Sequence, residues 1–121
     1  MFAVLGDPAG AAGQMRAAGE TLLGAGKVTD AVRCWRAAVE HEPGDAVSRD
    51  LLVKALVDAG DVEAAREAAR SGEQWRAVSA GLTRAGRDRE ALDALEQALA
   101  ADPGDLEARV HLARSAMTHH D

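Results

Sequence analysis

Tyrosine is missing from this chain of 121 residues, and the aromatic set is one phenylalanine and two tryptophans. A core so poor in large rings, with 47% apolar residues dominated by alanine, suits closely approaching helices. Alternating runs of β-branched residues are also lacking, whereas Ala, Leu, Glu and Arg, all good helix formers, abound. Cys34 is the single cysteine, which excludes an intrachain disulfide and a cysteine-based zinc site. No excess of positive charge exists: the formal net charge is −6 and the pI near 5.1. A nucleic-acid footprint or an anionic-membrane surface wants the opposite sign. No apolar run approaches the length of a membrane-crossing helix, so no membrane span is expected. The N-terminal Met-Phe-Ala-Val-Leu-Gly-Asp-Pro has no basic stretch and too short an apolar one for a signal peptide. A soluble, cytoplasmic protein is the expectation. Twelve arginines against two lysines fit a GC-rich bacterial source.

What the chain does have is an internal echo. Gly26, Ala31, Trp35, Ala38 and Pro43-Gly44-Asp45 recur in the same order and at the same spacings as Gly86, Ala91, Leu95, Ala98 and Pro103-Gly104-Asp105. A partial copy in the same frame lies between them at Gly60, Ala65 and Ala69. Around this frame the chain reads as about seven helices. The first is opened by Asp7 and Pro8 and runs to about Gly24. Five follow, over 28–42, 46–59, 62–70, 72–85 and 88–101, and the seventh spans 106–117. Asp45, Asp61 and Asp105 stand where N-caps are needed, and Ser71 with Gln74 forms a capping-box pattern. The buried stripe of the second helix is Ala31, Val32, Trp35, Ala38 and Val39. That of the third is Leu51, Leu52, Ala55 and Leu56, and of the sixth Ala91, Leu92, Leu95, Ala98 and Leu99. Short turns between successive helices mean antiparallel neighbours. The fold class is therefore all-α, an α-solenoid of stacked antiparallel helix hairpins.

A helix–turn–helix unit of about 34 residues with this frame resembles the tetratricopeptide repeat family. Residues 12–45 resemble it through Gly19, Gly26, Ala31, Trp35, Ala38 and Pro43. Residues 72–105 do so through Trp75, Gly86, Ala91, Ala98 and Pro103. Residues 46–71 match through Leu52, Gly60 and Ala65, but this unit falls about two helical turns short of the family's period and has no closing proline. Residues 106–118 look like the first helix of a further repeat, and 1–11 form an N-terminal segment, a cap or a helix stub. The resemblance implies a non-catalytic interaction module whose first helices line a concave groove for a peptide or partner segment. Carried onto this chain, the groove would include Arg16, Glu20, Asp50, Lys54, Arg76, Arg84, His111 and Arg114. Ala17, Val47, Leu51, Val57, Glu73, Ala77, Ala80 and Glu107 would accompany them. One subset of the family grips a C-terminal carboxylate. At the matching positions stand Arg16, Glu20, Leu51, Glu73 and Ala77, of which only Arg16 suits that task, so this specificity is not implied.

Other patterns carry less. Leu23-Gly-Ala-Gly-Lys27-Val-Thr29 lacks the glycine and the Ser or Thr that a phosphate loop needs. His41, His111, His119 and His120 have no zinc-ligand spacing, Cys34 reads as a packing residue, and no serine sits in a nucleophile elbow. Trp35 and Trp75 read as core residues. The expectation is thus no catalysis, no metal and no cofactor, with a protein or peptide partner. The alternative is self-association through exposed terminal helices, the final one showing Val110, Leu112 and Ala113, with Phe2, Val4 and Leu5 at the other end.

Overall fold

A computed structural model of the chain describes residues 8–118. Within them lie seven helices and no strand: α1 Pro8–Gly24, α2 Val28–His41, α3 Ala46–Asp58, α4 Val62–Ala68, α5 Gly72–Arg84, α6 Asp88–Ala101 and α7 Leu106–Thr118. The all-α reading holds, and most boundaries fall within one or two residues of those expected. The Asp7 cap and the Phe2, Val4 and Leu5 cluster lie outside the described residues, as do His119 and His120. The chain divides into two compact units, one up to Ala55 and one from Leu56.

Three turns follow one design. Gly26, Gly60 and Gly86 each take a left-handed φ, of 81°, 86° and 79°. The residue after each glycine sends its N–H back to the carbonyl five positions earlier: Lys27 to Leu22, Asp61 to Leu56 and Arg87 to Leu82, at 2.8–2.9 Å. Each glycine N–H bonds to the carbonyl three before it, on Leu23, Val57 or Thr83. This is a Schellman ending, which satisfies the last carbonyls of a helix and favours a residue without a Cβ at its left-handed position. The repeating glycine in the sequence is thus a helix stop, and the next helix starts within two residues of it.

In the first unit α1 packs along α2. Trp35 is 1% exposed, and its indole Nε1 donates to the Arg16 carbonyl at 3.2 Å. The ring lies against Gly19, where a Cβ would fall 2.5 Å from Nε1. Ala31 and Ala38 complete the buried stripe of α2, with Val32 and Val39 half-buried beside it.

In the second unit α5 packs on α4 and α6, and α6 on α7. Val78 and Leu82 of α5 and Ala91, Ala94, Leu95 and Ala98 of α6 are buried. Leu95, Ala98 and Ala108 form one cluster, against which Trp75, Leu92, Leu99 and Leu112 pack. Ser79 holds the place in the repeat register that Gly19 holds in the first unit, opposite Leu95 rather than a tryptophan. Its hydroxyl donates to the Ala91 carbonyl at 2.9 Å. A smaller ring-free partner leaves room for the serine side chain.

The shortened middle repeat is short in α4, which has 7 residues where α2 and α6 have 14. It ends at Ala68 instead of continuing to Arg70, because Ala69 is extended, with ψ 137°. The side chain of Arg70 donates to the Glu67 and Ala69 carbonyls at 2.7 Å, covering the helix end. The N–H groups of Arg70 and Ser71 both donate to Gln74 Oε1, while Gln74 N–H donates to Ser71 Oγ at 3.1 Å. The expected capping box is formed, and it replaces the Pro-Gly-Asp joint of the other two repeats.

The contact at Gly19 generates a stability prediction. Gly19→Ala forces the Trp35 ring to shift and should cost about 1–3 kcal/mol, as overpacking of a filled core does. Gly24→Ala, at the end of α1 with nothing within 4 Å of the added Cβ, is the control. It should be neutral or stabilising by up to about 1 kcal/mol. Thermal unfolding followed by circular dichroism distinguishes the two.

Candidate functional site

Each Pro-Gly-Asp joint ends on a carboxylate that starts the next helix. Asp45 Oδ1 accepts from Ser48 N–H at 3.2 Å and Oδ2 from Ser48 Oγ at 2.6 Å. Asp105 Oδ1 accepts from Ala108 N–H at 3.1 Å. The same carboxylates receive an arginine from the preceding repeat. Arg16 NH1 lies 2.9 Å from both Asp45 oxygens, and Arg76 Nε lies 2.9 Å from Asp105 Oδ2. Arg76 NH1 also reaches Glu107 Oε2 at 2.9 Å. A third element repeats: Arg49 and Arg109 donate to the Pro43 and Pro103 carbonyls. The aspartates, arginines and prolines of the two joints share the register of the sequence echo.

The environment sets the charge of these groups. Burial pushes the Asp45 carboxyl up, but the hydrogen bonds from the Ser48 side chain and backbone, with Arg16 beside it, outweigh burial and leave its pKa lowered. For Asp105 the Ala108 N–H is the largest influence. Burial opposes it, Arg76 adds to it, and the net shift is again downward. On α4 and α6, Arg87 bonds to Glu90 and Glu63, and Arg66 bonds to Glu90 at 2.9 Å. The Arg87 hydrogen bond is the main cause of a lowered Glu90 pKa, and Glu90 in turn leads in raising that of Arg87. These carboxylates are held ionised against guanidinium groups, an arrangement suited to cross-bracing helices rather than to moving protons.

Between α5 and α7 a groove of about 470 Å³ opens over α6. Arg76, Ser79, Ala80 and Thr83 line it from α5, His111, Arg114 and Ser115 from α7, and Leu95 from its floor on α6. No carboxylate is among these lining residues, although the chain as a whole carries a net charge of −6. The groove therefore offers guanidinium, imidazole and hydroxyl groups over a small apolar floor.

Of the eight residues expected to contact a partner, the structure brings Arg76, His111 and Arg114 together here. Arg84, the last residue of α5, is exposed but outside this lining. In the first unit Glu20, Asp50 and Lys54 are exposed on α1 and α3, and Arg16 is bound to Asp45. Val57, also expected on the groove, is 6% exposed, and a Cβ on Gly81 would meet it at 2.8 Å. Ser79, Thr83, Leu95 and Ser115 were not anticipated. Their signal lay in helical spacing: Ser79 and Thr83 are one turn apart beside Ala80, and Ser115 is one turn beyond His111.

Cys34 is half-buried, Trp35 is core and Trp75 packs against the α6–α7 cluster. Among the described residues no three His, Cys, Asp or Glu side chains are grouped to hold a metal ion. No helix there is long and apolar enough to cross a membrane. Family models described as tetratricopeptide repeat match residues 16–77 and residues 72–115. No curated protein matches the chain.

The paired carboxylates make stability depend on pH. Their folded-state pKa values lie below the ordinary value of about 3.9. Their contribution is complete above that value and is lost as pH falls through the lowered ones. Asparagine also caps helices well, so Asp45→Asn with Asp105→Asn retains the caps and removes the ion pairs. The double variant should flatten the fall in unfolding free energy between about pH 5 and pH 2, seen in urea titrations across that range.

Proposed function

This chain belongs to the tetratricopeptide repeat family, and from that premise we propose that it is a non-catalytic module that binds an acidic peptide segment of a partner protein. Repeats of this family generally mediate protein–protein interaction. The observation that carries the finer reading is the α5–α7 groove, lined by Arg114, His111 and hydroxyl groups with no carboxylate among its lining residues on an acidic chain. Arg114 and His111 are the groups proposed to meet carboxylates of the segment, Ser115 and Thr83 its backbone, and Ala80 with Leu95 a small aliphatic side chain. Potentials of opposite sign across such a contact steer encounter and select the partner. Glu20, Asp50, Lys54 and Arg84 are proposed as further contacts, each on the first helix of its own repeat.

Arg16 and Arg76 take a different place in this reading than the repeat pattern alone implies. Each is bonded to the carboxylate that starts a following helix, so its charge is largely satisfied within the chain. Arg76 holds the start of α7 against α5 and so shapes one wall of the groove. The acidic net charge speaks against a nucleic-acid partner, and a cytoplasmic setting is proposed on the same composition.

The test uses charge reversal on the α7 wall of the groove. Arg114→Glu together with His111→Glu should weaken capture of partner proteins from the native host by about tenfold or more, a loss typical of central polar contacts. Helicity by circular dichroism should stay unchanged. Arg84→Glu should cost less. A captured set identical to that of the unmodified chain would show that the groove is not the site.

A further inference from the structure

A notch of about 460 Å³ opens between α4, α5 and α6, lined by Arg66, Trp75, Asp93, Ala94, Glu96 and Gln97. It exists because α4 stops early. Two ion pairs fix α4 beside α6 with both helices running the same way. Glu63 bonds to Arg87, and three residues further along each helix Arg66 bonds to Glu90 at 2.9 Å. The next two steps of three along α6 are Asp93 and Glu96. The matching steps on α4 would be residues 69 and 72, but Ala69 is extended, with ψ 137°, and Gly72 already belongs to α5. The row of cross-helix pairs ends after two, and Asp93 and Glu96 have no turn of α4 beside them.

Charge and shape choose the occupant. Both carboxylate residues are exposed, and among the described residues neither has an ion pair or a hydrogen bond. The two arginines at the end of α4 are bound elsewhere, Arg66 to Glu90 and Glu63, Arg70 to the Glu67 and Ala69 carbonyls. Trp75 is half-buried, packed on one side against the Leu95, Ala98 and Ala108 cluster while it lines the notch. Its indole N–H bonds to no described residue, unlike that of Trp35, which holds the Arg16 carbonyl. Two carboxylates beside an indole suit a cation, and arginine best, since a flat guanidinium stacks on the ring and still donates to a carboxylate. The carboxylates are no part of the repeat frame, for α2 has Arg33 and Arg36 at the same register positions.

We propose that the notch is a second partner site, opposite in sign to the groove, which receives an arginine-bearing helix of a partner protein in the place of the turns that α4 lacks. Two arginines three residues apart share one face of such a helix. They meet Asp93 and Glu96 and continue the row that Glu63–Arg87 and Arg66–Glu90 begin, with one guanidinium against Trp75. Alanines between them let the helix approach Ala94 closely. The notch shares no lining residue with the α5–α7 groove, so the two sites stand or fall separately.

The probe is an alanine-based helical peptide with two arginines three residues apart, titrated into the ¹⁵N-labelled full chain and followed by NMR. The same peptide with glutamine for both arginines is the control. The expected result is a saturable shift of the Trp75 indole N–H and of the backbone N–H signals of residues 93–97, while the Trp35 indole and the α7 signals stay in place. Exposed ion pairs are individually weak, so a Kd of about 1 mM or somewhat below is expected, rising with salt. Asp93→Arg with Glu96→Arg, the residue type that α2 carries at both positions, should raise the Kd about tenfold or more by turning two attractions into repulsions. Asp93→Asn with Glu96→Gln should raise it less and introduces no new charge, so it reports on the site even if the reversal disturbs α6. No shift at these signals overturns the proposal. So do an equal response to the glutamine peptide, shifts confined to the α5–α7 groove, or a Kd indifferent to both double substitutions.

Discussion

Asp45 and Asp105 each meet two demands at once. A helix that starts in the middle of a packed array has N–H groups without intrahelical partners, and a short acidic side chain just before it satisfies one of them. The same carboxylate accepts an arginine from the helix that precedes it by one hairpin. The cap is therefore also the bond that sets where the new helix lies against the old. Small alanine faces pack closely but say little about register along the helix axis, since one alanine resembles the next. A directional, charge-assisted hydrogen bond supplies what they lack. The groove in the second unit depends on it, because the distance between α5 and α7 is the width of the groove.

The middle repeat shows what happens where this pairing is not used. Its register positions hold Asp50 and Ser71 in place of the arginine and the aspartate. The Ser71–Gln74 capping box satisfies the start of α5 from within α5 itself. With α4 reduced to 7 residues and no proline–glycine joint, that repeat passes to the next helix through the Ser71–Gln74 bonds. The position recurs in α7 as Val110, and there the apolar choice leaves a face exposed rather than bonded. One register position thus appears in three chemical forms, and each form changes what the neighbouring helix can be.

Much of the fold was legible because its signals are local. Gly26, Gly60 and Gly86 mark helix ends since only a residue without a Cβ takes the left-handed conformation readily. Asp61 and the Ser71–Gln74 pair mark helix starts through side chains that reach no further than one turn. The extent of α4 was harder. Its alanine-rich sequence would continue as a helix to Arg70, and what stops it is the competition of Gln74 for the N–H groups of Arg70 and Ser71. For the site, the repeat pattern located Arg76, His111 and Arg114 on one side. It also counted Arg16 and Arg76 as available to a partner, because a pattern along one helix does not show an aspartate arriving from 29 residues away.

The sequence by itself determined the helices, the turns, the repeat and the family, for each follows from bonds and steric limits within a few residues or from a frame repeated along the chain. Only the tertiary structure decided which charges are committed to helix joints and which line the groove. Ion pairs between distant helices depend on where the backbone has brought them. So does the role of Leu112, which periodicity set beside Val110 and Ala113 but which the packing of α7 on α6 turns inward. What remains on the surface, a groove between α5 and α7 lined by Arg76, His111 and Arg114, is a property of the assembled helices and of no single one of them.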